Sequence, residues 1–209
     1  FHPSALHQPV PSLILTAARM NDAPTVFLID DDQAVRDAVG LLLRTDGLAV
    51  ETFTSAASFL ESGAAERAGC LVLDVRMPGM SGLDLQQQLR ARGHRTPVIF
   101  MTDHGDVPMA IRAMKGGAFD FIEKPFQGKT LLERIHAALK LDTCERHRRT
   151  QRADAAARMA QLSPREREVL ERIALGRYNK TIAAELGISV STVEIHRKRL
   201  RQKLLAQHV

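Results

Sequence analysis

The stretch Val26-Phe27-Leu28-Ile29-Asp30-Asp31-Asp32 sets four apolar residues directly against three acids. A short, unbroken apolar run suits a strand buried on both faces, as in a parallel sheet sandwiched by helices. An amphipathic stretch follows, with Val35, Ala38, Val39, Leu42 and Leu43 at helical spacing. The alternation then repeats. Leu48-Ala49-Val50 with Phe53 reads as a second strand, and Ala56 to Ser62 as a helix. Cys70-Leu71-Val72-Leu73 is a third strand ending at Asp74, and a turn, Met77-Pro78-Gly79-Met80, leads to a helix carrying Leu83, Leu85 and Leu89. Val98-Ile99-Phe100-Met101 is a fourth strand ending at Thr102, and Val107 to Met114 is helical. Ala118 to Ile122 is a fifth strand, just before Glu123-Lys124-Pro125, and the last helix presents Leu131, Leu132, Ile135, Ala138 and Leu139. Five such units predict an α/β fold, a five-stranded parallel doubly wound sheet of flavodoxin-like type. Ligands of open parallel sheets sit beyond the carboxyl ends of the strands. Asp30, Asp31, Asp74, Thr102 and Lys124 all fall there and are expected to converge.

The rest of the chain has a different character. Of 209 residues, 29 are Lys or Arg and 24 Asp or Glu; cut after Leu141, the first part carries a net charge of −2 and the remainder +7. A near-neutral body joined to a compact basic end suggests a regulated module attached to a polyanion binder. Arg146 to Arg158 is polar and basic with four interspersed alanines, and reads as a helical linker, assigned to residues 142–161. Leu162-Ser163-Pro164 then supplies a capping Ser, Pro at the first helical position and Glu166 at the capping-box position. The helix this starts carries Val169, Leu170 and Ile173 and ends at Gly176; further helices are expected over Thr181 to Leu186 with a stop at Gly187, and from about Ser191 to Leu205. Three short helices with a Gly-containing turn before the last predict a small all-α helix-turn-helix domain, residues 162–209. Residues 1–24 read as a non-native extension, with Met20 the expected natural start. No run of about 18 apolar residues is present, and two cysteines, Cys70 and Cys144, are too few for a disulfide framework, so a reduced, cytoplasmic setting is expected.

Three carboxylates with no basic partner among them repel one another, and a divalent cation held by hard oxygens, Mg²⁺, resolves the conflict. Lys124 supplies a point positive charge and Thr102 a hydroxyl donor for a phosphoryl group carried on Asp74, because an Asp carboxylate can act as the nucleophile that forms an acyl phosphate. Taken singly, a strand-end Asp is usually a helix cap and a lone Lys is usually solvated; all five at successive strand ends is a rarer coincidence.

These residues also carry a resemblance. Asp30-Asp31, Leu73-Asp74 before Met77-Pro78-Gly79-Met80-Ser81-Gly82, Thr102 and Lys124-Pro125-Phe126 resemble the receiver domain of two-component response regulators, over residues 25–141. His104-Gly105-Asp106-Val107-Pro108-Met109-Ala110 and Asp120-Phe121-Ile122-Glu123 are similar to the FixJ subgroup. The resemblance implies that Asp74 accepts phosphate from a phosphohistidine on a sensor histidine kinase. It implies Mg²⁺ held by Asp31 and Asp74 side chains, by Asp30 through water and by the Arg76 carbonyl. Thr102 and Phe121 would form the switch pair. Family members usually place a small residue after the switch Thr; this chain departs from that pattern with Asp103, whose charge is expected to slow phosphorylation.

On the last helix Val193, Leu200 and Leu204 share one face, with Arg197 at its edge; Ser191, Glu194, Ile195, Lys198, Arg201 and Gln202 fall opposite. Lys can bond to guanine, Glu can accept from cytosine and Ile can meet a thymine methyl. The stretch from Leu162-Ser163 through Asn179-Lys180, Thr192-Val193-Glu194 and His196-Arg197 to Lys203-Leu204 resembles the LuxR/NarL-type helix-turn-helix. That implies double-stranded promoter DNA as partner, Glu194, Ile195 and Lys198 at base-reading positions, and Asn179, Lys180, Thr192 and Arg197 on phosphates. RNA polymerase is a further partner, and homodimerisation on phosphorylation is expected. Family domains continue into a fourth, dimerising helix, for which Val209 comes early. The combined reading is a regulator rather than an enzyme. The main rival, a phosphohydrolase with an aspartyl-phosphate intermediate, would want a second acid close after the nucleophile, where Val75 and Arg76 stand. An RNA-binding module would want aromatic platforms, and the basic end has only Tyr178.

Overall fold

The computed structural model describes residues 24–103 and 107–205. The expected extension over 1–24, the motif residues His104 to Asp106 and any continuation past Leu205 lie outside or almost wholly outside the described residues. Five strands, β1 (Thr25–Ile29), β2 (Ala49–Phe53), β3 (Gly69–Asp74), β4 (Val98–Thr102) and β5 (Asp120–Glu123), form one sheet in the order β2-β1-β3-β4-β5. Every pairing is parallel. The helices between them are α1 (Gln33–Thr45), α2 (Ala56–Glu61), α3 (Gly82–Ala91) and α4 (Val107–Lys115), followed by α5 (Gly128–Ala160).

Alternate residues of the central strands feed two cores, as the two-residue period of a strand requires. Val26, Leu28, Val72, Ile99 and Met101 pack with Val39 and Leu43 of α1 and with Leu131 and Ile135 of α5. Phe27, Ile29, Leu71, Leu73 and Phe100 face the other way, onto Phe59 of α2, Leu85 and Leu89 of α3 and Ala113 of α4. Both faces are thus covered, which explains why β1, β3 and β4 each carry an unbroken run of four apolar residues. The expected fifth strand begins two residues late. Ala118 instead closes the end of α4, its N–H donating to the Ala113 carbonyl. Strand order reverses between β1 and β3, the switch point at which a doubly wound sheet opens a crevice.

The first compact unit ends at Arg146, beyond the boundary expected after Leu141. Asp142 of α5 is buried and accepts from the Gly69 N–H at 2.9 Å and from Arg146 Nε at 2.7 Å. Arg146 in turn donates to the carbonyls of Glu66 and Arg67, so the root of the linker helix is fastened to the start of β3. The helix expected after β5 and the helical linker form one continuous element.

The second unit runs from His147 and contains the end of α5, then α6 (Pro164–Ala174), α7 (Asn179–Leu186) and α8 (Val190–Leu205). The capping box at Ser163 is complete, with both reciprocal bonds to Glu166 present. Gly187 ends α7 in the left-handed region at φ 64°, a conformation a side chain would resist. α7 starts two residues earlier than expected because extended Tyr178 accepts the first helical bond, from Ile182. Leu162, Val169, Ile182, Val193 and Leu200 form the small core.

Candidate functional site

Asp30 follows β1 and Asp74 ends β3; both are buried, at 1% and 5% exposure, which is rare for carboxylates unless they are partnered. Their partner is Lys124, just past β5. Its ammonium donates to Asp30 Oδ2 at 3.0 Å and to Asp74 Oδ1 at 3.3 Å. The remaining oxygens are served by main chain: Asp32 N–H bonds Asp30 Oδ1 at 2.9 Å, and Arg76 N–H bonds Asp74 Oδ2 at 2.7 Å. Local sequence explains the placement. Gly82 begins α3 against the Asp74 carbonyl, where a Cβ would lie 2.2 Å from that oxygen. Lys124 N–H is held to the Thr102 carbonyl at 2.7 Å, which draws the segment after β5 over the strand ends.

The acids of the opening motif divide their work. Asp30 is buried and paired, Asp31 is exposed at the cavity wall, and Asp32 caps α1 by accepting from the Ala34 N–H at 2.8 Å. Asp30, Asp31, Asp74, Arg76, Thr102 and Lys124 all line one cavity of about 260 Å³, so the expected convergence occurs. Phe121 does not reach it. That ring is half-buried, packed on the α2–α4 side of the sheet, and lines a separate cavity of about 360 Å³. One cavity neighbour escaped the sequence reading, and another, Asp103, lies where that reading expected it. Arg36 of α1 donates to the Asp30 carbonyl at 2.8 Å, and its only signal was its place on the inner face of the first turns of α1. Asp103 lines the cavity with its carboxylate 3.8 Å from the Lys124 ammonium, although two-thirds exposed.

Electrostatically the cavity is short of positive charge. Burial pushes the Asp74 carboxyl above the ordinary carboxylate range, and the neighbouring Asp30 charge adds to this; Lys124 and the Arg76 N–H only partly offset it. Burial works against the Lys124 ammonium, yet the bond to Asp30 and the charges of Asp30 and Asp74 outweigh it and hold the ammonium above its ordinary value. Five acidic residues, Asp30, Asp31, Asp32, Asp74 and Asp103, line the cavity against two basic ones, Arg76 and Lys124, so a divalent ion fits the donor set. Among the described residues no three Asp, Glu, His or Cys side chains form a ready metal cluster. A cation here would complete its shell with main-chain and water oxygens beside one or two carboxylates, the coordination Mg²⁺ favours.

In the second unit Val193 and Leu200 of α8 are buried, while Glu194, Ile195 and Lys198 are exposed on the opposite side. Thr192 is tied into the turn, its N–H donating to Ser189 Oγ at 3.0 Å. Arg197 and Asn179 line a cavity of about 530 Å³ between α8 and the start of α7, with Arg177 and Tyr178. The last two were not foreseen; their signal was adjacency to Asn179. Among the described residues Lys180, Arg197 and Lys198 make no ion pair with a carboxylate. His196 faces inward, and its Nδ1 is buried without a hydrogen-bond partner.

Residues 26–136 match the family model described as the response regulator receiver domain, and 160–209 match that of bacterial regulatory proteins of the luxR family. The chain belongs to the two-component response regulators. The transcriptional regulatory protein FixJ of Azorhizobium caulinodans is 48% identical over 187 residues, covering 90% of this chain and 89% of its own. TodT of Pseudomonas putida, a response regulator protein, is 45% identical, covering 87% of this chain and 80% of its own. Among solved structures, the response regulator StyR superposes with a TM-score of 0.82 at 46% identity, covering 89% of this chain and 94% of that one. Full-length FixJ of B. japonicum gives 0.57 at 41% identity over 88% of this chain and 91% of that one. This response regulator is a phosphorylation-controlled transcription regulator with a receiver domain and a LuxR-type DNA-binding domain. Among the described residues no helix is long and apolar enough to cross a membrane.

Proposed function

We propose that Asp74 is the phosphoacceptor of this response regulator, and that its phosphorylation by a sensor histidine kinase governs binding of α8 to double-stranded promoter DNA. The observation that carries this reading is the Lys124 ammonium bridging two buried carboxylates at the switch point of the sheet. An Asp74 oxygen bonds to phosphorus while the phosphorus–nitrogen bond of phosphohistidine breaks and the imidazole leaves. Asp31 and Asp74 side chains, Asp30 through water and the Arg76 carbonyl would hold Mg²⁺. Bound there, the ion neutralises charge on the transferring phosphoryl oxygens. Lys124 and Thr102 hold the phosphoryl group once it arrives, by ammonium charge and by hydroxyl hydrogen bond.

Phosphorylation adds roughly −1.5 to −2 charges at Asp74, and the Thr102–Phe121 pair responds, the hydroxyl moving to the phosphoryl and the ring turning inward. The receiver then homodimerises and delivers paired helix-turn-helix units to half-sites about one DNA turn apart. Glu194, Ile195 and Lys198 read base edges; Asn179, Lys180, Thr192 and Arg197 contact phosphates. RNA polymerase is a further partner, and the protein works in the cytoplasm as a phosphoacceptor, not an enzyme, assisting only its own phosphotransfer and dephosphorylation.

Fluorescence anisotropy with promoter DNA, with and without acetyl phosphate and Mg²⁺, tests the switch: donor is expected to tighten binding, and indifference to donor at every protein concentration overturns the control mechanism. Asp103 gives a second expectation. A carboxylate at the cavity mouth repels an anionic donor by about 1 kcal/mol, a factor of about five in rate. Asp103→Gly should label with acetyl phosphate faster by about that factor; equal rates discard the effect.

A further inference from the structure

The part of α5 that belongs to the second unit buries nothing. Every residue from His147 to Ala157 is exposed, so this stretch has no core to serve. Bridging two domains through solvent accounts for a helix that is polar all round, but not for the sidedness of its charge. Arg148, Arg149 and Arg152 fall within about 100° of helix circumference, while Asp154 lies on the opposite side. Arg149 and Arg152 make no ion pair with a carboxylate among the described residues. Off the stripe, His147 bonds Gln151, and Arg158 donates to the Asp154 carbonyl.

We infer that this arginine stripe is a second, sequence-independent contact to DNA, gripping phosphates beside the site read by α8. The inference rests on the reading of α8 as the DNA reader. Three observations favour a phosphodiester backbone over other occupants. The stripe belongs to the same compact unit as α8. The helix end is tied into that unit: Lys203 Nζ of α8 donates to the carbonyl of Gln161, the residue just past the helix, at 3.1 Å, and Arg167 Nη2 of α6 to the Met159 carbonyl at 3.4 Å. The arginines stand about 12 to 18 Å back along the helix from Ala160, a reach comparable with the width of a DNA groove and its flanking strands. An arginine fork matches phosphate geometry, and the stripe is exposed, so its cations can replace counterions on the DNA backbone.

The test uses the full chain and two duplexes of equal length, one selected by the protein from a random pool and one scrambled. Anisotropy is measured over about 50 to 200 mM salt for the natural protein and for the triple variant Arg148→Gln, Arg149→Gln, Arg152→Gln. Each phosphate contact contributes about 0.9 to the slope of log affinity against log salt. The triple variant should lower that slope by about 2 to 3 on both duplexes, while preference for the selected duplex is kept. The triple Lys variant, which keeps the charge, should restore the slope, and far-UV circular dichroism confirms that either variant retains its helix. An unchanged slope in the Gln variant overturns the inference, as does a change in self-association with the slope intact, which would make the stripe a contact between copies. If the pool yields no selected sequence, it is the base-reading role of α8 that fails. A lowered slope on arbitrary DNA would still support the stripe.

Discussion

Asp74→Asn should leave the protein unable to take up phosphoryl groups and, at neutral pH without divalent cation, more stable than the natural chain by roughly 1 kcal/mol. Both effects come from the same carboxylate. Burial and the adjacent Asp30 hold the Asp74 carboxyl above its ordinary range, so the folded state binds that proton more tightly than the unfolded chain does. The contribution to stability is therefore complete in acid, and is lost as pH climbs through the ordinary carboxylate range and past the raised native value. The amide has no charge to desolvate and can still accept from the Arg76 N–H. Urea titrations across this range should show natural and variant proteins alike in acid and diverging towards neutrality. Added Mg²⁺ should then stabilise the natural protein more than the variant, because a ligand that binds only the folded state favours it by mass action. A variant less stable than the natural chain at neutral pH would show that the Lys124 bridge outweighs the cost of burial.

The second large effect lies far from the phosphoryl chemistry. Glu166 is 3% exposed and is the centre of a knot. It closes the capping box of α6 by accepting from the Ser163 N–H at 2.9 Å, and it accepts from the Lys203 ammonium of α8 at 2.6 Å. These bonds, led by that to Lys203, hold its carboxyl down at about 2. Such a group stabilises the fold above the ordinary Glu range and loses that contribution as pH falls towards the native value. Glu166→Ala removes a capping interaction and a charged hydrogen bond, a loss of about 2 kcal/mol or more. A core as small as that of α6 to α8 has little reserve. DNA binding should therefore vanish at ordinary growth temperature while acetyl phosphate labelling continues at the natural rate. Glu166→Gln, which keeps a cap acceptor, should lose less. Retention of DNA binding by Glu166→Ala would show that Lys203 finds another acceptor.

The strands were legible because β1, β3 and β4 are buried on both faces, which writes them as unbroken apolar runs. The convergence of Asp30, Asp74, Thr102 and Lys124 was legible for a related reason: parallel strands present their carboxyl ends at one edge. What each acid does was not. Asp30, Asp31 and Asp32 are identical in sequence, and only the turn into α1 decides that the first pairs with Lys124, the second faces the cavity and the third caps the helix. The fusion of the linker with α5 was hidden because its anchor, Asp142 and Arg146 on the start of β3, joins residues distant in the chain. The Glu166–Lys203 pair was hidden likewise; each lay in a recognisable pattern, but their meeting depends on the packing of α6 against α8. Phe121 was expected at the switch beside Thr102, but its half-buried ring lies apart from the acidic cavity.

The most direct measurement is mass spectrometry of the full chain after treatment with acetyl phosphate and Mg²⁺, with the added group located by reduction and peptide mapping. One phosphoryl group on Asp74, absent when the cation is chelated, is the predicted result. No added mass, or a phosphoryl group on any other residue, would contradict the account.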